Sequence, residues 1–172
     1  MKKKTRPLFA WVVFLITAGG VFLFLKTVTV IALRNPDDRN FFYFSVAPSE
    51  QMTLCYTNSI YNAYVEEVFE VRKGNIVLKA VRTASPAVME YYGFEGSGPV
   101  QAMNRSLGPT FWIKASMRQD QSLRIGEKTI DLRALGNRGD RVQIRVEDVS
   151  LAFILFSGIF RRQDLDASIK KP

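Results

Sequence analysis

The chain has 172 residues, with 24 basic against 16 acidic side chains, no histidine and one cysteine, Cys55. Without histidine there is no Ser-His-Asp triad, no Cys-His pair and no ordinary zinc site, and a lone cysteine makes no internal disulfide. Six of the basic residues and no acidic ones lie in residues 1–34. That leaves 18 basic against 16 acidic in residues 35–172, so there is no basic domain face for nucleic acid. No cofactor and no metal site are expected, because no spaced acidic loop of the calcium-binding type occurs.

The first element is an uncharged apolar run, Leu8–Leu25, preceded by Lys2, Lys3, Lys4 and Arg6 and closed by Lys26. As a helix it spans ~27 Å, close to the ~30 Å hydrocarbon core of a bilayer. Apolar character resumes after Lys26 and continues through Leu33, which allows a longer span. The expectation is a transmembrane signal anchor in contact with the lipid bilayer. The alternatives are a cleavable signal peptide, with Val30-Ile31-Ala32 as the best cleavage site, and a buried core helix. The basic flank places the N-terminus in the cytoplasm and residues 35–172 on the far side, a single-pass protein of the cell membrane. Gly19-Gly20 would mark a close helix contact.

The expected organisation is residues 1–34 as basic tip and anchor, 35–40 as linker, 41–150 as an extracytoplasmic β domain, and 151–172 as an apolar segment and polar tail. The linker RNPDDRN carries turn signals. Strands are expected over Thr53–Ser59, Tyr64–Arg72 and Ile76–Ala84, the last two joined by a hairpin at Lys73-Gly74-Asn75. Alternation puts Val65, Glu67, Phe69 and Val71 on one face of their strand, and Ile76, Leu78, Ala80 and Arg82 on one face of the next. Glu67 then meets Arg82 on an apolar face, directly if Gly74-Asn75 is the loop and diagonally if Lys73-Gly74 is. A charge on a core face needs a partner. The pair is thus either a structural salt bridge or a polar pocket facing a ligand or partner, with Asn58, Ser59 and Asn62 near enough to join.

Residues 85–109, rich in Gly and Pro, read as a long loop. Its Tyr91, Tyr92 and Phe94 either contact a partner or the membrane interface, or pack over one end of a sheet. Further along, Phe111, Ile113 and Ala115 alternate with an outward Trp112. Leu123–Ile125 and Thr129–Leu132 flank a hairpin at Gly126-Glu127-Lys128, and Val142, Ile144 and Val146 alternate with Gln143, Arg145 and Glu147. Six or seven short strands make the fold mainly β, an antiparallel sandwich or open barrel behind the N-terminal transmembrane helix. Residues 151–160, LAFILFSGIF, are too few to span a bilayer as a helix. They either complete the core as a strand or packed helix, or face membrane or partner.

The segment Tyr56-Thr57-Asn58-Ser59-Ile60-Tyr61-Asn62-Ala63-Tyr64-Val65-Glu66-Glu67 resembles the pattern Y-x-H-S-V-x-x-T-P-V-x-E of domain of unknown function 1850. Tyr56, Ser59, Val65 and Glu67 match, with Ile60 a near match. The hairpins FEVRKGNIVLKAVRTAS and LRIGEKTIDL are also similar, so the resemblance covers residues 41–150. The family's histidine is Asn58 here, and its Thr-Pro pair is Ala63-Tyr64. The resemblance implies a non-enzymatic accessory of a TRAP/TAXI-type uptake system, partnered by the membrane subunit or the solute-binding protein. The alternatives are an envelope binding or assembly protein unrelated to transport, and a hydrolase with Ser59 as nucleophile and Glu66 or Glu67 as base. Glu66 and Glu67 point to opposite faces of a strand, which defeats a shared site. The candidate binding residues are Asn58, Ser59, Glu67, Arg82, Tyr91 and Tyr92, with no catalytic residues.

Overall fold

The computed structural model describes residues 6–37, 41–47, 50–95, 98–115 and 120–156. The chain divides into two compact units, one of residues 1–28 with 148–172, the other of residues 29–147.

In the first unit, helix α1 (Arg6–Leu25) is apolar on every side, with Phe9, Trp11, Phe14, Phe22 and Phe24 exposed. Trp11 and Phe14 meet edge to face at 6.1 Å, and Thr17 Oγ1 donates back to the Val13 carbonyl at 2.8 Å. A Cβ added at Gly19 or Gly20 meets nothing within 4 Å, so these glycines mark no close helix contact among the described residues. No helix among the described residues is long and apolar enough to cross a membrane. This overturns the single-pass membrane anchor over Leu8–Leu25 with its cytoplasmic N-terminus. Nor is the helix extended by the apolar residues after Lys26, because these form a strand. Residues 151–156 of the same unit are helical, with the Phe153 amide donating to Ser150 Oγ at 3.2 Å. The Leu151 amide donates to the Lys26 carbonyl at 2.7 Å. Residues 157–160 of the apolar C-terminal segment lie outside the described residues.

The second unit is built on two antiparallel sheets. The four-stranded sheet has the order β2 (Phe41–Ser45), β1 (Thr27–Arg34), β10 (Arg141–Ser150), β7 (Thr110–Lys114). The six-stranded sheet has the order β6 (Val100–Gly108), β5 (Asn75–Thr83), β4 (Ala63–Arg72), β3 (Gln51–Asn58), β8 (Ser122–Ile125), β9 (Lys128–Asp131). Both sheets contribute to one hydrophobic core, from Ile31 and Leu33 through Phe69 and Val81 to Val142 and Ile144. Phe69 of β4 stacks on Phe111 of β7 with centroids 5.2 Å apart, so an aromatic pair joins the two sheets.

β1 replaces the expected end of the anchor. Its Val30, Ile31, Ala32 and Leu33 are all buried, as in a strand covered on both faces, where no polar alternation survives. The expected loop over residues 85–109 also contains structure. Short helix α2 (Pro86–Tyr91) starts at Ser85, whose Oγ accepts the Val88 amide at 3.4 Å, with Pro86 in its first turn. β6 follows as an edge strand. The alternations in β7 and β10 and the β8–β9 hairpin are as expected, with Trp112 half-exposed on the outer side.

The β4–β5 hairpin turns at Lys73-Gly74, both with positive φ (50° and 72°), as a two-residue hairpin loop of the primed type requires. That fixes Arg72 opposite Asn75, Val71 opposite Ile76 and Phe69 opposite Leu78. A bulge then inserts Lys79, and the pairing resumes with Val68 opposite Ala80, Glu67 opposite Val81, and Glu66 opposite Arg82. One extra residue in a strand exchanges the faces of everything beyond it. Val81 therefore turns into the core and Arg82 turns out of it, so the expected pairing of Glu67 with Arg82 does not form.

Candidate functional site: a cleft around Glu67

The six candidate residues separate into four places. Asn58 and Ser59 belong to the β3–β4 turn. Asn58 Oδ1 accepts the Ile60 and Tyr61 amides at 2.9 and 3.1 Å, and Ser59 is exposed beside it. Asn58 thus acts as a turn former, its side chain standing in for a backbone acceptor. Arg82 is on the outer face of the six-stranded sheet. There Glu66 faces Arg82 Nη1 at 3.6 Å and Arg124 Nη2 at 2.6 Å, and Tyr64 Oη donates to it at 3.3 Å. Tyr91 is 69% exposed and meets Tyr92 edge to face at 5.8 Å.

Glu67 and Tyr92 come together on the inner side, joined by Tyr56. Tyr56 Oη donates to Glu67 Oε1 at 3.2 Å, Tyr92 Oη makes a short contact to the same oxygen, and the two phenol oxygens are 2.9 Å apart. Three elements build this triangle. β3 supplies Tyr56, directly opposite Val65 of β4, and β4 supplies Glu67 two residues on. α2 supplies the position of Tyr92: Val88 and Met89 are buried, and the Tyr92 amide bonds to the Val88 and Met89 carbonyls. Thr83 secures the approach to α2, its Oγ1 donating to the Tyr64 carbonyl at 2.7 Å and accepting the Ser85 amide at 3.2 Å.

Burial raises the Glu67 carboxyl above its ordinary range, and the hydrogen bonds from Tyr92 and Tyr56 pull it partly back. Both phenols are raised as well, first by burial and then by the Glu67 charge.

These residues line a cleft of about 450 Å³. Its walls are apolar, from Leu54, Phe69 and Leu78 on one sheet to Phe111 and Ile113 on the other, with Met103 and Leu107 from β6. β6 and β7 are the edge strands of their sheets, joined through Pro109, whose carbonyl accepts the Val146 amide at 2.9 Å. The cleft has three further polar groups that sequence reasoning missed. Gln121 Oε1 is buried with no hydrogen-bond partner among the described residues. Arg105 and Lys114 are exposed members of the lining. Nothing in the local sequence marks any of the three, because the cleft is assembled from strands distant along the chain.

No cluster of metal-ligating side chains occurs among the described residues. Ser59 and Glu67 share no hydrogen bond, one lying in an exposed turn and the other in the cleft. No family model, curated protein or solved structure matches this chain.

Proposed function

We propose that this chain is a non-enzymatic binding module, a β-sandwich whose cleft around Glu67 receives a small molecule. The observation that carries the proposal is the placement of a half-buried carboxyl, bonded only to phenols among the described residues, on the wall of a mostly apolar cleft. A carboxyl drawn partly out of water loses solvation that a ligand can restore. The cleft is a better fit for a ligand than for a packed core. Its volume falls in the ~300–1,000 Å³ range of small-molecule sites, and apolar walls with a few convergent polar groups are their usual lining.

A fragment screen by saturation-transfer NMR tests the proposal. Fragments are expected to bind the full chain and to be lost in Met103→Trp, which fills the cleft, with folding checked by circular dichroism. Leu107→Phe is the substitute if the first variant does not fold. Fragment binding that is absent in the native chain, or unchanged in a folded filled variant, overturns the proposal.

One observation favours a more specific role. Tyr56 and Glu67, two of the positions at which the chain resembles domain of unknown function 1850, are hydrogen-bond partners. On that resemblance the module serves a TRAP/TAXI-type uptake system, meeting its membrane subunit or its solute-binding protein. Co-purification of the tagged full chain with those subunits is the test. Failure to recover either one removes the transport role and leaves the binding module standing.

A further inference from the structure

The inference concerns the ligand, and it rests on the cleft being a binding site. Its polar groups fall into two sets. The inner set holds acceptors. Glu67 has both phenols on Oε1, which leaves Oε2 without a hydrogen bond among the described residues, and Gln121 Oε1 has no partner. The outer set holds donors. Arg105 and Lys114 sit on the two edge strands, exposed, and neither side chain makes an ion pair or hydrogen bond among the described residues. Between the sets the walls are hydrocarbon and aromatic, with Phe69, Leu78, Leu107 and Phe111.

We infer that the cleft takes an amphipathic zwitterion: an ammonium head at Glu67 and Gln121, an apolar body between the sheets, and an anionic end at Arg105 and Lys114. Each part answers a physical demand. Gln121 Oε1 is a buried acceptor left unpaired, which costs ~1–3 kcal/mol, and an ammonium supplies up to three donors to it and to the Glu67 carboxylate. A cation is the guest that best offsets the desolvation of an ionised carboxyl, whereas a neutral head leaves that charge uncompensated. A simple amine would meet two unneutralised cations at the mouth, and an anionic end removes that repulsion and forms charge-assisted hydrogen bonds to the guanidinium. A fatty acid satisfies the mouth and leaves the inner acceptors empty.

Three probes of matched length separate the parts: the ω-amino acid aminohexanoate, hexanoate and hexylamine. Titration of the full chain by calorimetry or NMR is expected to show aminohexanoate binding at least about tenfold tighter than either of the others, ~1.4 kcal/mol. Glu67→Gln is expected to weaken aminohexanoate by a similar factor and to leave hexanoate unchanged. The double variant Arg105→Ala with Lys114→Ala is expected to weaken aminohexanoate and hexanoate and to leave hexylamine no weaker. Equal binding of hexanoate and aminohexanoate, or an aminohexanoate affinity indifferent to Glu67→Gln in the folded protein, overturns the inference. If aminohexanoate does not bind while other fragments do, the ligand class is wrong and the binding site stands. If nothing binds, the site itself fails.

Discussion

Glu66 and Glu67 are neighbours in the chain and live in opposite environments. Glu66 points to the outer face, where two guanidinium groups and a phenol surround it. Glu67 points inward, where among the described residues no cation pairs with it and two phenols share one of its oxygens. The strand's period of two sets this contrast, and the bulge at Lys79 assigns Arg82 to the outer carboxylate.

Glu67 should set a pH dependence of stability. Its carboxyl is raised in the folded state above the ordinary value of 4.5, so the folded chain holds a proton that the unfolded chain has already released. Stability tied to this group is therefore complete below that value and is lost as pH rises through the folded value. Glu67→Gln cannot ionise and should flatten this part of the profile, so that the variant gains on the native chain as pH climbs. Thermal melts of both from pH 4 to 8 check the sign, and a constant difference in Tm across the range would be the contrary result.

Removing Glu66 should matter little by comparison. Arg82 and Arg124 are about half-exposed, and solvent screens the ion pairs they make. Glu66→Ala is expected to cost ~1 kcal/mol or less in denaturant unfolding, and less again in high salt.

Deleting Lys79 should be severe. Without the extra residue, Val81 and Thr83 leave the core and Arg82 is forced towards it. The bond from Lys79 Nζ to Asn104 Oδ1, 2.7 Å, is lost as well, beside an Asn104 whose φ of 53° accommodates the irregularity. A loss of about 3 kcal/mol or more is expected, whereas Lys79→Ala, which keeps the residue count, should cost ~1 kcal/mol or less. Chemical denaturation of both variants separates the spacing from the side chain.

Asn35, fully buried just past β1, should be a stability centre. Its Nδ2 donates to Asp140 Oδ2 at 3.1 Å, and its Oδ1 accepts the Asp37 amide at 3.0 Å. Asn35→Ala strands those groups and is expected to cost ~2 kcal/mol. Gly136→Ala should do comparable harm, because a Cβ there would collide with the Asn35 amide and crowd the Asp140 carboxylate. Tm values of the two single variants and the double variant should be strongly non-additive, since both act on one cluster.

Much of the second unit was legible in the sequence. β7, β10 and the β8–β9 pair alternate cleanly because one side of each is wet. The run after Lys26 has no such signature, since four consecutive residues of β1 are buried, and it reads as an extension of the apolar helix. β6 is an edge strand with an exposed, polar composition, so its Gly and Ser content reads as loop. Glu67 and Tyr92 were visible, one as a charge on an apolar face and the other in an aromatic cluster. Their meeting was not, because it depends on α2, and alternation alone pairs Arg82 with Glu67 rather than Glu66 because a bulge leaves no mark in residue types. Gln121, Arg105 and Lys114 gain meaning only once two sheet edges lie side by side.

The bulge bears on how the hairpin forms. The turn at Lys73-Gly74 fixes only the pairs nearest it, and beyond Phe69 a nascent β4–β5 ribbon has two pairings available. The straight one brings Glu67 within diagonal reach of Arg82 and is open to an isolated peptide of residues 63–83. The bulged one wins only when β3 and the buried face of β5 demand it. Commitment to the native pairing is therefore a late, collective event, and in a pulse-labelled refolding experiment the amides of residues 80–83 should gain protection after those of residues 75–78.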